Sequence, residues 1–126
     1  MGIRDFLASK VMPSGGISVD EALALLSKGG VLVDVRTMDE YVAGHAPGSK
    51  LVDPAALSED AFSAVHAGNP LAEPDGTFVL ICDSGLRSGH LVAAVRGQGH
   101  SCEFVSGGLR AWKAAGQFLL PGPPRR

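Results

Sequence analysis

Two mostly apolar runs constrain the fold of this chain more than any other feature: residues 31–35 (VLVDV) and 77–82 (TFVLIC). Both are short and rich in β-branched side chains, and neither alternates between apolar and polar. Such a run suits a strand covered on both faces. Strands covered on both faces belong to parallel sheets, which need crossover connections, usually helical. The intervening segments supply those helices. Ser18 opens one, with Glu21 placed for a capping box, apolar Ala22, Leu23, Leu25 and Leu26 behind it, and Gly29-Gly30 as the stop. Residues 37–43 form one or two helical turns, and 50–52 a short strand. Residues 58–67 read as a helix capped by Ser58 and stopped at Gly68. A helix over 88–96, a third clear strand over 101–105 and a last helix over 109–115 complete the order. The expectation is an α/β fold of three layers: a mostly parallel central sheet of about five strands with helices on both faces. Crossovers in such a sheet are right-handed, and ligands bind beyond the carboxyl ends of its strands.

A chain of 126 residues fits one domain and buries enough surface to need no disulfide or metal staple. Residues 1–16 read as a short helix (2–10) and linker, 17–118 as the domain, and 119–126 as a disordered tail. With 45% hydrophobic and 19% charged residues and a net charge of −2, the composition is that of a soluble globule. Nothing in it marks a nucleic-acid or membrane partner. Arg4, Asp5 and Lys10 interrupt the N-terminus, which therefore lacks the apolar stretch of a secretory signal. The reading is a cytoplasmic protein. Its two cysteines, Cys82 and Cys102, make no disulfide framework.

The chemistry concentrates where the second apolar run ends. Cys82 closes a strand, Asp83-Ser84-Gly85-Leu86-Arg87 follow as a tight loop, and Ser88 leads into a helix. A short loop between a strand and a helix N-terminus turns backbone N–H groups inward, making a nest for an anion, and the helix dipole adds partial positive charge. Gly85 allows the backbone angles the loop requires, and Arg87 adds a full charge. These surroundings favour the thiolate, so Cys82 is expected to be nucleophilic near neutral pH. Burial as core bulk is the ordinary use of a free cysteine, but the loop and helix around Cys82 match an anion site.

Four stretches resemble the rhodanese-like domains. Asp34-Val35-Arg36 with Glu40-Tyr41, and Gly44-His45-Ala46-Pro47-Gly48, are similar to that family's upstream signature. Cys82–Ser88 (CDSGLRS) resembles its active-site loop, and Gly107-Gly108 with Trp112 its closing signature. The resemblance covers residues 17–117. It implies ping-pong sulfur transfer without metal or organic cofactor. The Cys82 thiolate takes the outer sulfur of a donor such as thiosulfate, sulfite leaves, and cyanide or a cellular thiol later removes the sulfur. A protein can also serve as acceptor. The residues Cys82–Ser88 would hold the donor, and Asp34 and Arg36 would support the loop through buried pairing.

Two other functions compete. A catalytically weak rhodanese module would only bind a sulfur carrier or partner, although the retained Cys82 and Arg87 speak against it. A dual-specificity phosphatase sharing the fold would need one more residue between cysteine and arginine; here four separate Cys82 from Arg87. Asp83 departs from the family, which often has a basic residue there. An acidic group would repel thiosulfate and disfavour the thiolate. Elsewhere the bland reading wins: His45 braces a turn, Cys102 packs on a strand, Trp112 anchors the core, and His66, His90 and His100 lack metal-ligand spacing.

Overall fold

The computed structural model describes residues 13–67, 69, 71–72 and 76–124. The helix expected over 2–10 lies outside them. Four strands form one parallel sheet in the order β2-β1-β3-β4: β1 is Val31–Asp34, β2 Lys50–Leu51, β3 Phe78–Ile81 and β4 Cys102–Phe104. The two apolar runs are its adjacent central strands, with Val33 opposite Leu80 and Asp34 opposite Ile81. Ile17 lies beyond β4 and makes a single parallel bridge to Val105. With that bridge the sheet comes close to the expected five strands. Pro13 and two glycines, Gly15 and Gly16, precede Ile17, and Ser18 already caps a helix, so no longer strand fits.

Side chains alternate across the sheet and feed two cores. Leu32, Val79, Ile81 and Val105 meet Val19 and Ala22 of α1 (Val19–Ser27) and Leu109 and Trp112 of α6 (Gly108–Ala114). On the other face Val33, Val35, Phe78, Leu80, Cys82 and Phe104 meet three helices. These are α3 (Pro54–Glu59), α4 (Ala61–His66) and α5 (Leu86–Arg96). Full burial of each large apolar side chain contributes about 1.5–3 kcal/mol, so these two faces carry most of the stability. No helix among the described residues is long and apolar enough to cross a membrane.

Several boundaries differ from the sequence reading. The single helix expected over 58–67 is two helices, and Ser58 caps neither. Asp53 accepts from the Ala56 N–H at the start of α3, where Pro54 occupies the first turn, and Asp60 accepts from the Ser63 N–H at the start of α4. The break at Asp60 is stitched by Gln98, whose amide oxygen accepts from the Ala61 N–H at 2.7 Å. Its Nε2 donates to the carbonyls of Leu57 at 3.0 Å and Ser58 at 2.9 Å. α5 starts two residues before the expected Ser88. In the stretch expected as tail, Leu120 exchanges two backbone hydrogen bonds with His45 and Gly122 donates to Val42.

Candidate active site

The capping box Thr37–Glu40 starts α2 (Met38–Ala43) just past the end of β1, and α5 starts just past the end of β3. Both central strands thus deliver their following segments to one edge of the sheet. Cys82 follows β3 and is fully buried, so it forms the floor of the loop. Its Sγ receives the Gly85 N–H at 3.1 Å and the Ser88 N–H at 3.4 Å, and the Ser88 hydroxyl lies 3.3 Å away. Two backbone N–H donors at the helix N-terminus converge on one sulfur, and the Ser88 hydroxyl can add a third to a thiolate, a geometry suited to negative charge there. Gly85 caps α5 with φ +94° and packs within 3.2 Å of the Gly107 nitrogen, measured from where a Cβ would stand. Both facts select glycine. Leu86 and Arg87, expected in the loop, join Ser88 in the first turn of α5.

The loop is held from behind by the start of α6. The Leu109 N–H donates to the Cys82 carbonyl at 2.8 Å, and the Arg110 N–H to the Asp83 carbonyl at 3.2 Å. This contact requires Gly108, at φ +57°: a Cβ would run into the Cys82 carbonyl oxygen and sit 2.7 Å from the Asp83 carbonyl carbon. The Gly107-Gly108 pair thereby seats the reactive loop.

Asp34 and Arg36 do pair, and chiefly with each other. Arg36 Nε and Nη2 reach the Asp34 carboxylate at 3.0 and 2.8 Å, and Nη2 also donates to the Gly44 carbonyl at 2.8 Å. Both residues are buried. The pair fixes the β1–α2 corner one strand away from Cys82. His45 is a brace, as expected: its ring stacks on Tyr41 at 3.7 Å and its Nδ1 donates to the Tyr41 carbonyl at 2.9 Å. Cys102 lies on β4 opposite Phe78, where that central strand begins, and burial pushes its thiol up to about 12. Trp112 is in the core as expected, although its indole N–H has no partner among the described residues.

Two partnerships were not legible in the sequence. Arg87, half-exposed, makes a bidentate ion pair with Glu40, Nη1 to Oε1 at 2.7 Å and Nη2 to Oε2 at 2.8 Å. The Arg87 hydrogen bond holds the Glu40 carboxyl down at about 2, and the same bond raises Arg87 above its ordinary value. Asp83 is paired in turn with Arg110, Nη2 to Oδ2 at 3.0 Å, so the repulsive charge at the loop is met by a cation from α6. Glu40 carries a signal as part of the upstream signature and as the capping residue of α2, but none that points to Arg87. Arg110 carries none. Beside Arg87 a cleft of about 490 Å³ opens, lined by Arg36, Thr37, Met38, Leu51 and Pro54 among others.

Comparison with known proteins agrees with this geometry. A sequence profile of the rhodanese-like domain matches residues 18–115. The thiosulfate sulfurtransferase GlpE of Pseudomonas entomophila is 30% identical over 99 residues, which are 78% of this chain and 84% of that protein. The crystal structure of a thiosulfate sulfurtransferase from Pseudomonas aeruginosa superposes with a TM-score of 0.70 at 25% identity, over 94% of this chain but only 22% of that longer one. A human single-domain sulfurtransferase superposes with a TM-score of 0.63 at 28% identity, over 79% of this chain and 95% of its own.

Proposed function

The chain belongs to the rhodanese-like domain family, and on that premise we propose that it moves sulfane sulfur from a donor to a thiophilic acceptor through a persulfide on Cys82. One observation carries the reading: of the two cysteines, only Cys82 has its sulfur inside a cradle of backbone N–H donors, with a hydroxyl beside it, at the carboxyl edge of the central strand. Cys102 lies on the edge strand β4 and is buried as packing.

The chemistry follows from that placement. The Cys82 thiolate attacks the outer sulfur of thiosulfate, the sulfur–sulfur bond breaks, and its electron pair leaves with sulfite. A new sulfur–sulfur bond joins the transferred atom to Cys82. In the second half, cyanide or a thiolate attacks that outer atom and returns the Cys82 thiolate. The Gly85 and Ser88 donors hold the charge of the Cys82 thiolate, and in the persulfide that charge passes to the outer sulfur, which the same loop surrounds. Asp83, Ser84, Leu86 and Arg87 form the wall through which the donor enters, while Asp34 and Arg36 hold the adjoining corner. Small sulfur donors and thiol acceptors are the partners this chemistry calls for, with a protein acceptor as an extension of the same step.

The loop length speaks against phosphoryl chemistry. Four residues separate Cys82 from Arg87, and the donors that face inward are directed at the sulfur itself. Intact mass measurement after incubation with thiosulfate tests the reading. We expect a gain of one sulfur atom in the wild type, lost again on adding cyanide, and no gain in Cys82→Ser. An unmodified wild-type protein, or equal sulfur uptake by Cys82→Ser, overturns it.

A further inference from the structure

The arginine of the anion loop is not free to meet an anion. Both terminal nitrogens of Arg87 are taken by the Glu40 carboxylate. The other charges at the loop cancel in the same way, since Asp83 is met by Arg110. Arg36, the second arginine of the adjoining cleft, is held by Asp34. A dianionic donor therefore meets a mouth whose paired side chains offer no surplus positive charge, or it must first displace Glu40.

We propose that Glu40 is a specificity-determining residue that, by occupying Arg87, turns the site from thiosulfate toward sulfane-sulfur donors of lower charge, the alkyl persulfides. The inference rests on the sulfurtransferase reading. With a persulfide, the Cys82 thiolate attacks the outer sulfur, the sulfur–sulfur bond of the donor breaks, and the electron pair leaves on the alkyl thiolate. The transferred sulfur keeps its proton or releases it to water. No oxidant is consumed, and the leaving group carries one negative charge where sulfite carries two. Backbone donors alone suffice for such a donor, whereas thiosulfate would benefit from an unpaired guanidinium.

Glu40→Gln isolates the charge. Glu40 Oε1 also accepts from the Thr37 N–H at 3.1 Å, closing the capping box of α2, and glutamine performs that capping role equally well. The variant should therefore fold with α2 intact. Steady-state sulfur transfer is measured with thiosulfate and with 2-hydroxyethyl persulfide, which has no other charged group, at low and high salt. For charges of this exposure we expect the ratio of kcat/KM, thiosulfate over persulfide, to rise roughly three- to tenfold at low salt. The change should sit mainly in KM for thiosulfate and shrink at high salt. Glu40→Asp, which keeps the charge, should stay near the wild-type ratio. If Cys82 is loaded by both donors and Glu40→Gln leaves the ratio within twofold at low salt, the role of Glu40 is refuted while the sulfurtransferase reading stands. If neither donor loads Cys82, both fall.

Discussion

Replacing Gly108 by alanine should cost far more than any other small change near the site. At φ +57° the left-handed backbone alone costs an alanine about 1–2 kcal/mol. The added methyl would also meet the carbonyl groups of Cys82 and Asp83, which are backbone and cannot swing aside. Relief requires α6 to back away from the loop. That movement breaks the Leu109 to Cys82 and Arg110 to Asp83 hydrogen bonds, at about 1 kcal/mol each. The sum is roughly 3–4 kcal/mol, or a fall in Tm of roughly 10–20 °C for a chain of this size. Gly29→Ala is the matched control. Gly29 has φ +96° with nothing within 4 Å of an added methyl, so it bears the backbone penalty alone. Thermal unfolding of both variants gives the difference directly, and sulfur-transfer rates report whether the loop has lost its seat. If Gly108→Ala melts no lower than Gly29→Ala and transfers sulfur normally, α6 does not hold the loop in the way described.

Arg36→Leu leaves the fully buried Asp34 carboxylate without its partner and should destabilise the fold by about 3–5 kcal/mol in denaturant unfolding, more than a surface arginine would. Cys102 should make the fold sensitive to alkali. Burial raises its thiol from 9.0 to about 12, so the folded state keeps a proton that the unfolded chain gives up. Its contribution is intact below pH 9 and is lost as pH rises toward 12; Cys102→Ala should flatten the wild-type decline between about pH 9 and 12. Glu40 acts at the other end. Its carboxyl lies at about 2, below the usual 4.5, so the Arg87 pair contributes fully above 4.5 and its contribution is lost as pH falls through 2. Glu40→Gln should shallow the acid limb of a stability–pH curve. Aryl phosphates should be hydrolysed at background rates only, and efficient turnover by the wild type would refute the loop-length argument.

How far the sequence could be read depended on the range of the interaction. The central strands were legible because residues 31–35 and 77–82 are mostly apolar without alternation, a pattern that double-sided burial explains. The capping box at Ser18 was legible because its two halves lie three residues apart. The split of α3 from α4 was not. Asp53, Ser58 and Asp60 are all good caps, and the choice among them rests on Gln98, 37 residues beyond Ala61. The loop of the candidate site could be located from Cys82 and Gly85, because strand, glycine and helix are neighbours in the chain. Its charge balance could not. The partner of Arg87 lies 47 residues upstream and that of Asp83 27 downstream, so neither pairing has a local signature. Asp83 looked like an uncompensated negative charge for that reason.

Gln98 has a consequence for the order in which this chain becomes structured. A single amide group satisfies the exposed ends of two helices that precede it by about forty residues, and it sits just past the end of α5. Until that end docks, the Ala61 N–H and the Leu57 and Ser58 carbonyls have only water, and six-residue helices such as α3 and α4 do not persist alone. The two helices therefore join the cooperative unit formed by β3 and α5 and do not precede it. Their amides should exchange with solvent by the same global opening that frees the sheet.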